Sequence, residues 1–467
     1  MKDILHGSAT QQAKWIREGK ISSVELVQAH LDQISRVNPE LNAVVALYAE
    51  AALRQARAAD EAVAAGAAAG PFHGVPFTIK DSIELEGTLC TAGTWGRRAA
   101  APSRADATLV KRMRQAGAIP LAKTNLPDLL FAFESDNLLF GATKNPYDPG
   151  RTSGGSSGGE AALIAACGSP CGLGSDAAGS VRVPAAFCGI AGIKPTSGRL
   201  ARTGHFPPAG SWIEALWQIG PMARRVEDLS AMMALLAGPD GIDFTVHDVP
   251  FRNPEDIKIA DLRLAFYTDS PGVFTDSQVA AVVRAAANRL TAEVQSIEED
   301  RLPSHDKAYD LEMKLLGPDG GDSLRVYLAA IGSEKLHPLL AGWLEKLEPY
   351  RTDVDGFARY WAEWDSWRAE TAAYLRRYDA ILCPAYPQPA LPHGSSIRGE
   401  NFRGFCHTMA FNVLGWPAAV VRCGESPDGL PIAVQIAARP FREDVALAVA
   451  LRLESLFGGW KPPASLV

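Results

Sequence analysis

The sequence predicts an α/β fold in which a β-sheet is covered by α-helices on both faces. Two short apolar segments, residues 74–81 and 118–123, alternate large apolar side chains with other residues, as buried strands do. Residues 108–117, between them, repeat apolar side chains at helical spacing. This order of strand, helix and strand is typical of helices packed on a sheet. With 467 residues, 47% of them hydrophobic, the chain is long enough to bury a large core.

Residues 1–70 are predicted to form a helical apron ahead of the first strand. Residues 22–25, Ser-Ser-Val-Glu, match a capping box, and the apolar spacing behind them predicts a helix over residues 23–36. Residues 49–68 are rich in alanine and predict a second helix, which ends at the Gly-Pro pair of residues 70–71.

The strand over residues 74–81 carries Lys80 near its end. A lysine at the end of an apolar strand either extends its amine to solvent or is buried for a purpose. Beside a serine, a buried lysine amine would serve as a base.

Composition and spacing exclude several classes of function. The net charge of −7 gives no basic surface for nucleic acid. The longest apolar runs, such as residues 161–167, are far shorter than the ~20 residues of a membrane span, and no apolar leader is present, so we expect a cytoplasmic protein. The seven cysteines include no C-x-x-C pair and the nine histidines no H-E-x-x-H pair, so we expect reduced thiols, no metal and no cofactor.

Two glycine-framed serine motifs lie within residues 154–184 and indicate two ends of one site. The first surrounds Ser156 and Ser157 with four glycines, and the second presents Ser180. The first motif also matches the G-x-S-x-G nucleophile elbow, but the elbow needs a preceding strand, which the proline-rich residues 145–150 disfavour. A dinucleotide-binding glycine pattern over residues 172–177 must open a helix, whereas we expect residues 181–184 to be extended.

The run from residue 154 to residue 196 resembles the amidase signature family, and within it fatty acid amide hydrolase-like members. The matching motifs are Gly-Gly-Ser156-Ser-Gly-Gly-Glu160, Gly-Leu-Gly174-Ser-Asp176, Gly179-Ser180-Val-Arg182-Val-Pro184 and Gly192-Ile-Lys194-Pro195-Thr196. Further similar segments extend the resemblance over nearly the whole chain. It implies one amidase domain over residues 1–467 with a central twisted mixed β-sheet, and a monomer or homodimer acting on a small-molecule amide.

The resemblance implies a Ser-cisSer-Lys triad. By position Ser180 matches the nucleophile, Ser156 the bridging serine after a cis peptide, and Lys80 the general base. Lys80 must then be neutral, and neutralising a lysine of ordinary pKa near 10.4 at pH 7 costs about 4 to 5 kcal/mol. Burial is the physical means of meeting that cost.

The small residues before the nucleophile leave backbone N–H groups open for an oxyanion. The candidates are the N–H groups of Ala177, Ala178, Gly179 and Ser180. The family more often has two glycines here, so Ala178 would be strained if its position required a positive φ. Ser157, Asp176 and Arg182 are expected to brace the two motifs without touching the reacting atoms.

The predicted function is hydrolysis of carboxamides through an acyl-enzyme, with apolar acyl or aryl substrates and with esters or carbamates as further candidates. The alternative is the glutamine-hydrolysing subunit of a tRNA-dependent amidotransferase complex, although those subunits typically have glutamine where this chain has Val183.

After the helical apron, three regions are predicted along the chain. They are a catalytic core over residues 71–240, a variable pocket-forming region over residues 241–400 and a C-terminal return to the core over residues 401–467. An aromatic stripe at helical spacing, Phe357, Trp361, Trp364 and Trp367, is either core or a wall of the substrate pocket.

Overall fold

An eleven-stranded β-sheet runs through the computed structural model of this chain, which describes residues 2–67, 70–208 and 213–464. The strands are β1 Val44–Leu47, β2 Pro76–Lys80, β3 Ile119–Thr124, β4 Cys171–Asp176, β5 Ala191–Lys194, β6 Gln218–Ala223, β7 Arg263–Phe266, β8 Ser296–Glu299, β9 Ala380–Pro384, β10 Ala418–Glu425 and β11 Pro431–Ala438. Their order across the sheet is β1-β3-β2-β4-β6-β5-β10-β11-β9-β7-β8.

The sheet is mixed, as predicted. Strand β2 runs parallel to both β3 and β4, and β7 runs parallel to β8 and β9. The strands between these groups pair antiparallel. The parallel pairing of β2 with β4 brings the strand that ends in Lys80 beside the strand that ends at Asp176.

Helices connect most of the consecutive strands, the exceptions among the described residues being β5 to β6 and β10 to β11. They are α1 Lys2–His6, α2 Ala9–Arg17, α3 Ser23–Leu41, α4 Ala49–Ala64, α5 Thr108–Gln115, α6 Gly158–Ala165, α7 Arg182–Phe187, α8 Val226–Leu236, α9 Ser277–Leu290, α10 Lys307–Leu316, α11 Asp322–Ala330, α12 Pro338–Leu347, α13 Val354–Tyr374, α14 Gly399–Arg403, α15 Cys406–Val413 and α16 Glu443–Phe457. Among the residues that the structure describes, none of these helices is long and apolar enough to span a membrane.

Both faces of the sheet are buried under helices. Successive side chains of a strand point to opposite faces, and on β10 Val421 joins an apolar cluster with residues of α5, α8 and α16, while Val420 joins another with residues of α3, α4 and α6. On β11, Val434 belongs to the first of these clusters and its neighbour Ala433 to the second. The predicted α/β layering is confirmed.

The elements predicted at the start of the chain are present with small differences. The Ser22 hydroxyl accepts from the Glu25 N–H at 3.0 Å and the Glu25 carboxylate accepts from the Ser22 N–H at 2.7 Å, which is the predicted capping box. Helix α3 continues past residue 36 to Leu41, and α4 ends at Ala64, ahead of the predicted end at residue 68, which itself lies outside the described residues. The short edge strand β1 was not predicted within the apron.

One local prediction is wrong. Residues 181–184 were expected to be extended because of Pro184, but α7 begins at Arg182 and includes this proline. Proline is tolerated in the first turn of a helix, where its missing N–H has no partner to lose. The dinucleotide-binding pattern is nevertheless excluded, because Gly172 and Gly174 lie inside β4 and not in the turn after it.

Candidate active site

Lys80 lies at the end of β2 with none of its side chain exposed. Its Nζ atom is 2.7 Å from Ser156 Oγ, 3.0 Å from Ser175 Oγ and 3.3 Å from the carbonyl oxygen of Ser175. The amine is therefore buried among hydroxyl and carbonyl groups and does not extend to solvent.

The surroundings of Lys80 favour its neutral form. Burial lowers the pKa of the Lys80 amine well below its ordinary value, against the opposing charges of Asp176 and Glu160. Burial also raises the pKa of Glu160 to about 7, so this carboxyl carries less than a full charge near neutral pH. A neutral amine has two N–H donors and one lone pair, which matches its three partners in number.

The glycines around Ser156 are required by close backbone contacts. Gly154 has a φ of 83°, and the peptide bond between Gly155 and Ser156 is cis. A Cβ atom on Gly155 would lie 2.5 Å from the backbone N of Glu134, and one on Gly159 would lie 2.4 Å from the backbone N of Asn125. Only glycine, which has no Cβ, fits at these two positions. The glycine run over residues 154–159 therefore holds Ser156 next to Lys80 at the end of β2.

Ser180 lies in the turn between β4 and α7, and Asp176 holds that turn. The carboxylate of Asp176 accepts from the Gly179 N–H at 2.8 Å and from the Val181 N–H at 3.1 Å. Gly179 has a φ of 128°, and a Cβ atom there would lie 2.3 Å from Thr408 Oγ1. Glycine is thus required at residue 179 for both its conformation and its close approach to Thr408.

Arg182 locks this turn to the C-terminal part of the chain. Its guanidinium donates to Asp176 at 2.9 Å, to Gln435 Oε1 at 2.7 Å, to the carbonyl of Thr408 at 2.9 Å and to Asn412 Oδ1. Burial would raise the pKa of Asp176, but the charge and hydrogen bonds of Arg182 hold it well below its usual range. Asp176 and Arg182 are thus brought together as expected, with Asn412 and Gln435 added.

Ser157 joins the two serine motifs through backbone contacts. Its N–H donates to the carbonyl of Ser180 at 3.1 Å, and its hydroxyl contacts both the N–H and the carbonyl of Ser175 at 3.3 Å. These contacts place Ser157 between the two motifs.

The predicted set of oxyanion donors needs one correction. The N–H of Gly179 is donated to Asp176 and is not open. Within the part of the chain that the structure describes, the N–H groups of Ala177, Ala178 and Ser180 donate no hydrogen bond to the protein. Ala178 lies outside the left-handed region, because the positive φ falls on Gly179, and its carbonyl accepts from the Thr408 hydroxyl at 2.7 Å. The alanine is therefore not strained.

Ser156 and Ser180 line the same cavity, which encloses about 130 Å³. Ser175, Asp176, Ala177, Ala178 and His205 also border it. The rest of the wall is apolar and consists of Leu129, Leu130, Phe131, Ala132, Phe133, Pro207, Pro208, Ile213, Trp217, Leu316 and Trp343. The cavity therefore combines hydroxyls and open N–H groups with an otherwise apolar wall.

The aromatic residues predicted from the helical stripe do not form this wall, and that prediction is corrected. Trp364 is buried in the core between α13 and α10 and donates to the carbonyl of Val413 at 2.6 Å. Trp361 lies next to Trp364 on α13, with ring centroids 4.8 Å apart, and is 38% exposed, and Phe357 is half-buried beside it. A stripe at helical spacing indicates which face of a helix is buried, but not which cavity that face borders.

Two polar residues of the site were missed, Ser175 and His205. Ser175 precedes Asp176 on β4 and contacts Lys80, and His205 Nε2 lies 3.0 Å from Ser175 Oγ. Their separation of thirty positions along the chain fits no motif that sequence reasoning could use. Across the residues that the structure describes, no group of three or more His, Cys, Asp or Glu could hold a metal ion.

Comparisons with known proteins agree on one family. A family model described as Amidase matches residues 25–447. Fatty-acid amide hydrolase 2 of Homo sapiens is 34% identical, in an alignment that covers 98% of this chain and 90% of that protein. A glutamyl-tRNA(Gln) amidotransferase subunit of Moorella thermoacetica is 31% identical, with 97% of each chain covered. The solved structure of 6-aminohexanoate cyclic dimer hydrolase complexed with substrate aligns with a TM-score of 0.86 at 29% identity, covering 99% of this chain and 100% of that one.

Proposed function

This chain belongs to the amidase family and is a hydrolase of carbon–nitrogen bonds, and we propose that it cleaves carboxamides through an acyl-enzyme with Ser180 as nucleophile, Ser156 as proton relay and Lys80 as base. The observation that carries the proposal is the 2.7 Å contact between the buried Lys80 amine and Ser156 Oγ, beside a cavity that Ser156 and Ser180 share. A serine hydroxyl is a weak nucleophile until a base takes its proton.

The first half of the reaction forms the acyl-enzyme. Ser180 Oγ forms a bond to the carbonyl carbon while its proton moves to Ser156, and the proton of Ser156 moves to the lone pair of Lys80. The oxyanion accepts hydrogen bonds from the open N–H groups of the turn before Ser180. As the carbon–nitrogen bond breaks, the proton returns from Lys80 through Ser156 to the departing nitrogen.

The second half repeats these steps with water. Water gives a proton to the same relay and attacks the ester carbon, and the bond to Ser180 Oγ breaks as this oxygen regains a proton. The products are a carboxylic acid and an amine or ammonia, and the enzyme returns to its starting state. Esters and carbamates present the same carbonyl to Ser180 and are proposed as further substrates.

The size and lining of the cavity support a small apolar or aryl acyl group. Its volume of about 130 Å³ is similar to that of an engineered apolar cavity of about 150 Å³ in another protein, which binds benzene. Of the described residues on its wall, only Asp176 has an ionised side chain, and that carboxylate is already paired with Arg182. We therefore propose acyl groups of about one aromatic ring or a short branched chain.

Glutamine hydrolysis in a larger complex is the alternative, because several relatives are amidotransferase subunits. The apolar wall argues against it. The amide of glutamine would lie at Ser180 like that of any other substrate, but its α-ammonium and α-carboxylate groups would face the apolar wall, and burying such groups without partners costs at least a few kcal/mol. Val183, at the position where a glutamine is typical of those subunits, lies in an apolar cluster with Phe133 and Ala178.

The test uses the purified chain alone, with phenylacetamide and L-glutamine as substrates and ammonia release as the measurement. We expect kcat/KM for phenylacetamide to exceed that for glutamine by about 10- to 100-fold or more, from the burial cost above. Ser180→Ala is the matched control and should lose both activities without unfolding. Faster hydrolysis of glutamine, or turnover only with added partner proteins, would contradict the proposal.

The whole chain is proposed to act as one amidase domain, as a monomer or homodimer in the cytoplasm. One sheet contains both the N-terminal β1 and the C-terminal β11, which supports a single domain. Light scattering after size-exclusion chromatography of the same preparation measures the oligomeric state. A mass above that of a homodimer would contradict this part of the proposal.

A further inference from the structure

His205 is held in one tautomer within the wall of the cavity. Its Nδ1 atom lies 3.0 Å from the carbonyl oxygen of Pro207, which can only accept a hydrogen bond, so Nδ1 carries the proton. Nε2 is then left with a lone pair. Burial lowers the pKa of His205 to about 3, so the ring remains neutral at ordinary pH. The ring also lies against Trp217, with centroids 4.6 Å apart.

The lone pair of His205 determines where the Ser175 hydroxyl proton points. Nε2 has one lone pair and lies 3.0 Å from Ser175 Oγ and 3.1 Å from Ser82 Oγ, so it accepts from Ser175 when the Ser82 hydroxyl does not occupy it. Among the described residues, Ser175 Oγ has one other side-chain contact, Lys80 Nζ at 3.0 Å. When Ser175 donates to His205, its oxygen can only accept from Lys80.

The hydrogen bonds of neutral Lys80 depend on the direction in which the Ser175 hydroxyl proton points. The carbonyl oxygen of Ser175 takes one N–H of the amine, and Ser175 Oγ takes the other if it acts as an acceptor. The single lone pair of the amine is then left for the Ser156 hydroxyl. If the Ser175 proton pointed at Lys80 instead, two hydroxyls would compete for one lone pair and Ser156 could lose its base.

We propose that His205, acting through Ser175, directs the lone pair of Lys80 towards Ser156 and is therefore a positioning residue for the reaction. The hydrogen-bond chain then runs in one direction, from Ser156 to Lys80, from Lys80 to Ser175 and from Ser175 to His205. This inference rests on the proposed roles of Lys80 and Ser156.

The test is a double-mutant cycle between His205 and Ser175 on the full chain, with kcat and KM measured on phenylacetamide. His205→Leu removes the acceptor, and we expect kcat to fall about 10- to 100-fold, as for a lost buried hydrogen bond, while KM changes less than about 3-fold. Ser175→Ala should produce a similar loss. The double variant should be no slower than the slower single variant, because both changes remove the same alignment.

His205→Gln is the conservative variant, because an amide oxygen can replace the Nε2 acceptor, and it should recover most of the lost kcat. Thermal melting of each variant verifies folding. If His205→Leu fails to fold, the cycle is made with His205→Met. The proposal is overturned if the two losses multiply, if glutamine is no better than leucine, or if the effect falls on KM alone, which would make His205 only part of the substrate wall.

Lys80→Ala in the same assay separates this inference from the proposed function. If Lys80→Ala keeps its turnover, the proposed function itself fails. If Lys80→Ala is inactive but both His205 variants keep the kcat of the unmodified chain, only the role of His205 is wrong.

Discussion

Replacing Arg182 with methionine should destabilise the protein in a pH-dependent way. Arg182 and Asp176 form a fully buried ion pair, with neither side chain exposed. Methionine has a similar apolar length but no charge, so Arg182→Met leaves the carboxylate of Asp176 buried without its cation. Removing one partner of a buried ion pair typically costs about 3 to 5 kcal/mol of the free energy of unfolding.

The pH dependence follows from the pKa of Asp176. In the unmodified protein this pKa lies well below the unfolded value near 3.9, so the pair stabilises the fold above about pH 4, and this stability is lost as the pH falls through the folded pKa. Without Arg182 the two largest effects that lower the pKa of Asp176 are lost, and we expect burial to raise this pKa against the remaining hydrogen bond from Asn412 and the charge of Lys194. The folded variant then holds a proton that the unfolded chain releases, and its stability falls as the pH rises.

The measurement is urea unfolding of both proteins at pH 4.5 and pH 7.5. We expect the loss of about 3 to 5 kcal/mol at pH 7.5, and a clearly smaller loss at pH 4.5. Asp176→Asn combined with Arg182→Met is the matched control, because the Asn oxygen can still accept from the Gly179 N–H without a charge. This double variant should recover at least half of the lost stability and show no added pH dependence.

Two results would refute this reasoning. One is an equal loss for Arg182→Met at the two pH values, which would mean that the cost is lost packing and not an unpaired charge. The other is a double variant that is less stable than Arg182→Met at pH 7.5.

Three further predictions concern catalysis. Lys80→Ala should lower turnover of an amide about 10- to 1,000-fold more than turnover of a matched p-nitrophenyl ester, because only the amide needs a proton on its leaving group. Equal losses on the two substrates would contradict the proton relay from Lys80 through Ser156. In the unmodified enzyme kcat/KM should rise with pH to a plateau, and the midpoint of the rise should lie well below the ordinary lysine pKa because burial lowers the pKa of Lys80. A midpoint at the ordinary lysine pKa would count against a buried base. Leu316→Ala should raise the ratio of kcat/KM for a naphthyl acyl group to that for a phenyl acyl group by about 10-fold, because Leu316 borders the cavity. Trp361→Ala is the control and should leave this ratio unchanged. The reverse pattern would mean that the aromatic stripe of α13 forms the pocket wall.

Elements whose causes are local could be predicted from the sequence. The capping box, the two apolar strands and the glycine runs each depend on residues within a few positions of one another, so their patterns are visible in the chain. The glycine runs also have a local cause in the structure, because a Cβ at Gly155 or Gly159 would meet backbone atoms.

The missed features depend on contacts between distant segments. Ser175 contacts Lys80 because β2 and β4 pair, and His205 contacts Ser175 because the residues after β5 return to the same end of the sheet. The apolar wall of the cavity includes residues of a loop around residue 131 and Trp343 on α12. No periodicity in the sequence connects these two segments. The N–H of Gly179 was predicted to be open because the sequence cannot show that the Asp176 side chain turns back to accept it.

The most direct test of the proposed mechanism is to find which serine a fluorophosphonate labels. The reagent is attacked by an activated serine, and tandem mass spectrometry of the digested protein locates the adduct. We predict a single adduct on Ser180, no adduct in Ser180→Ala, and much slower labelling of Lys80→Ala. An adduct on Ser156, or labelling of Lys80→Ala at the rate of the unmodified chain, would contradict the account.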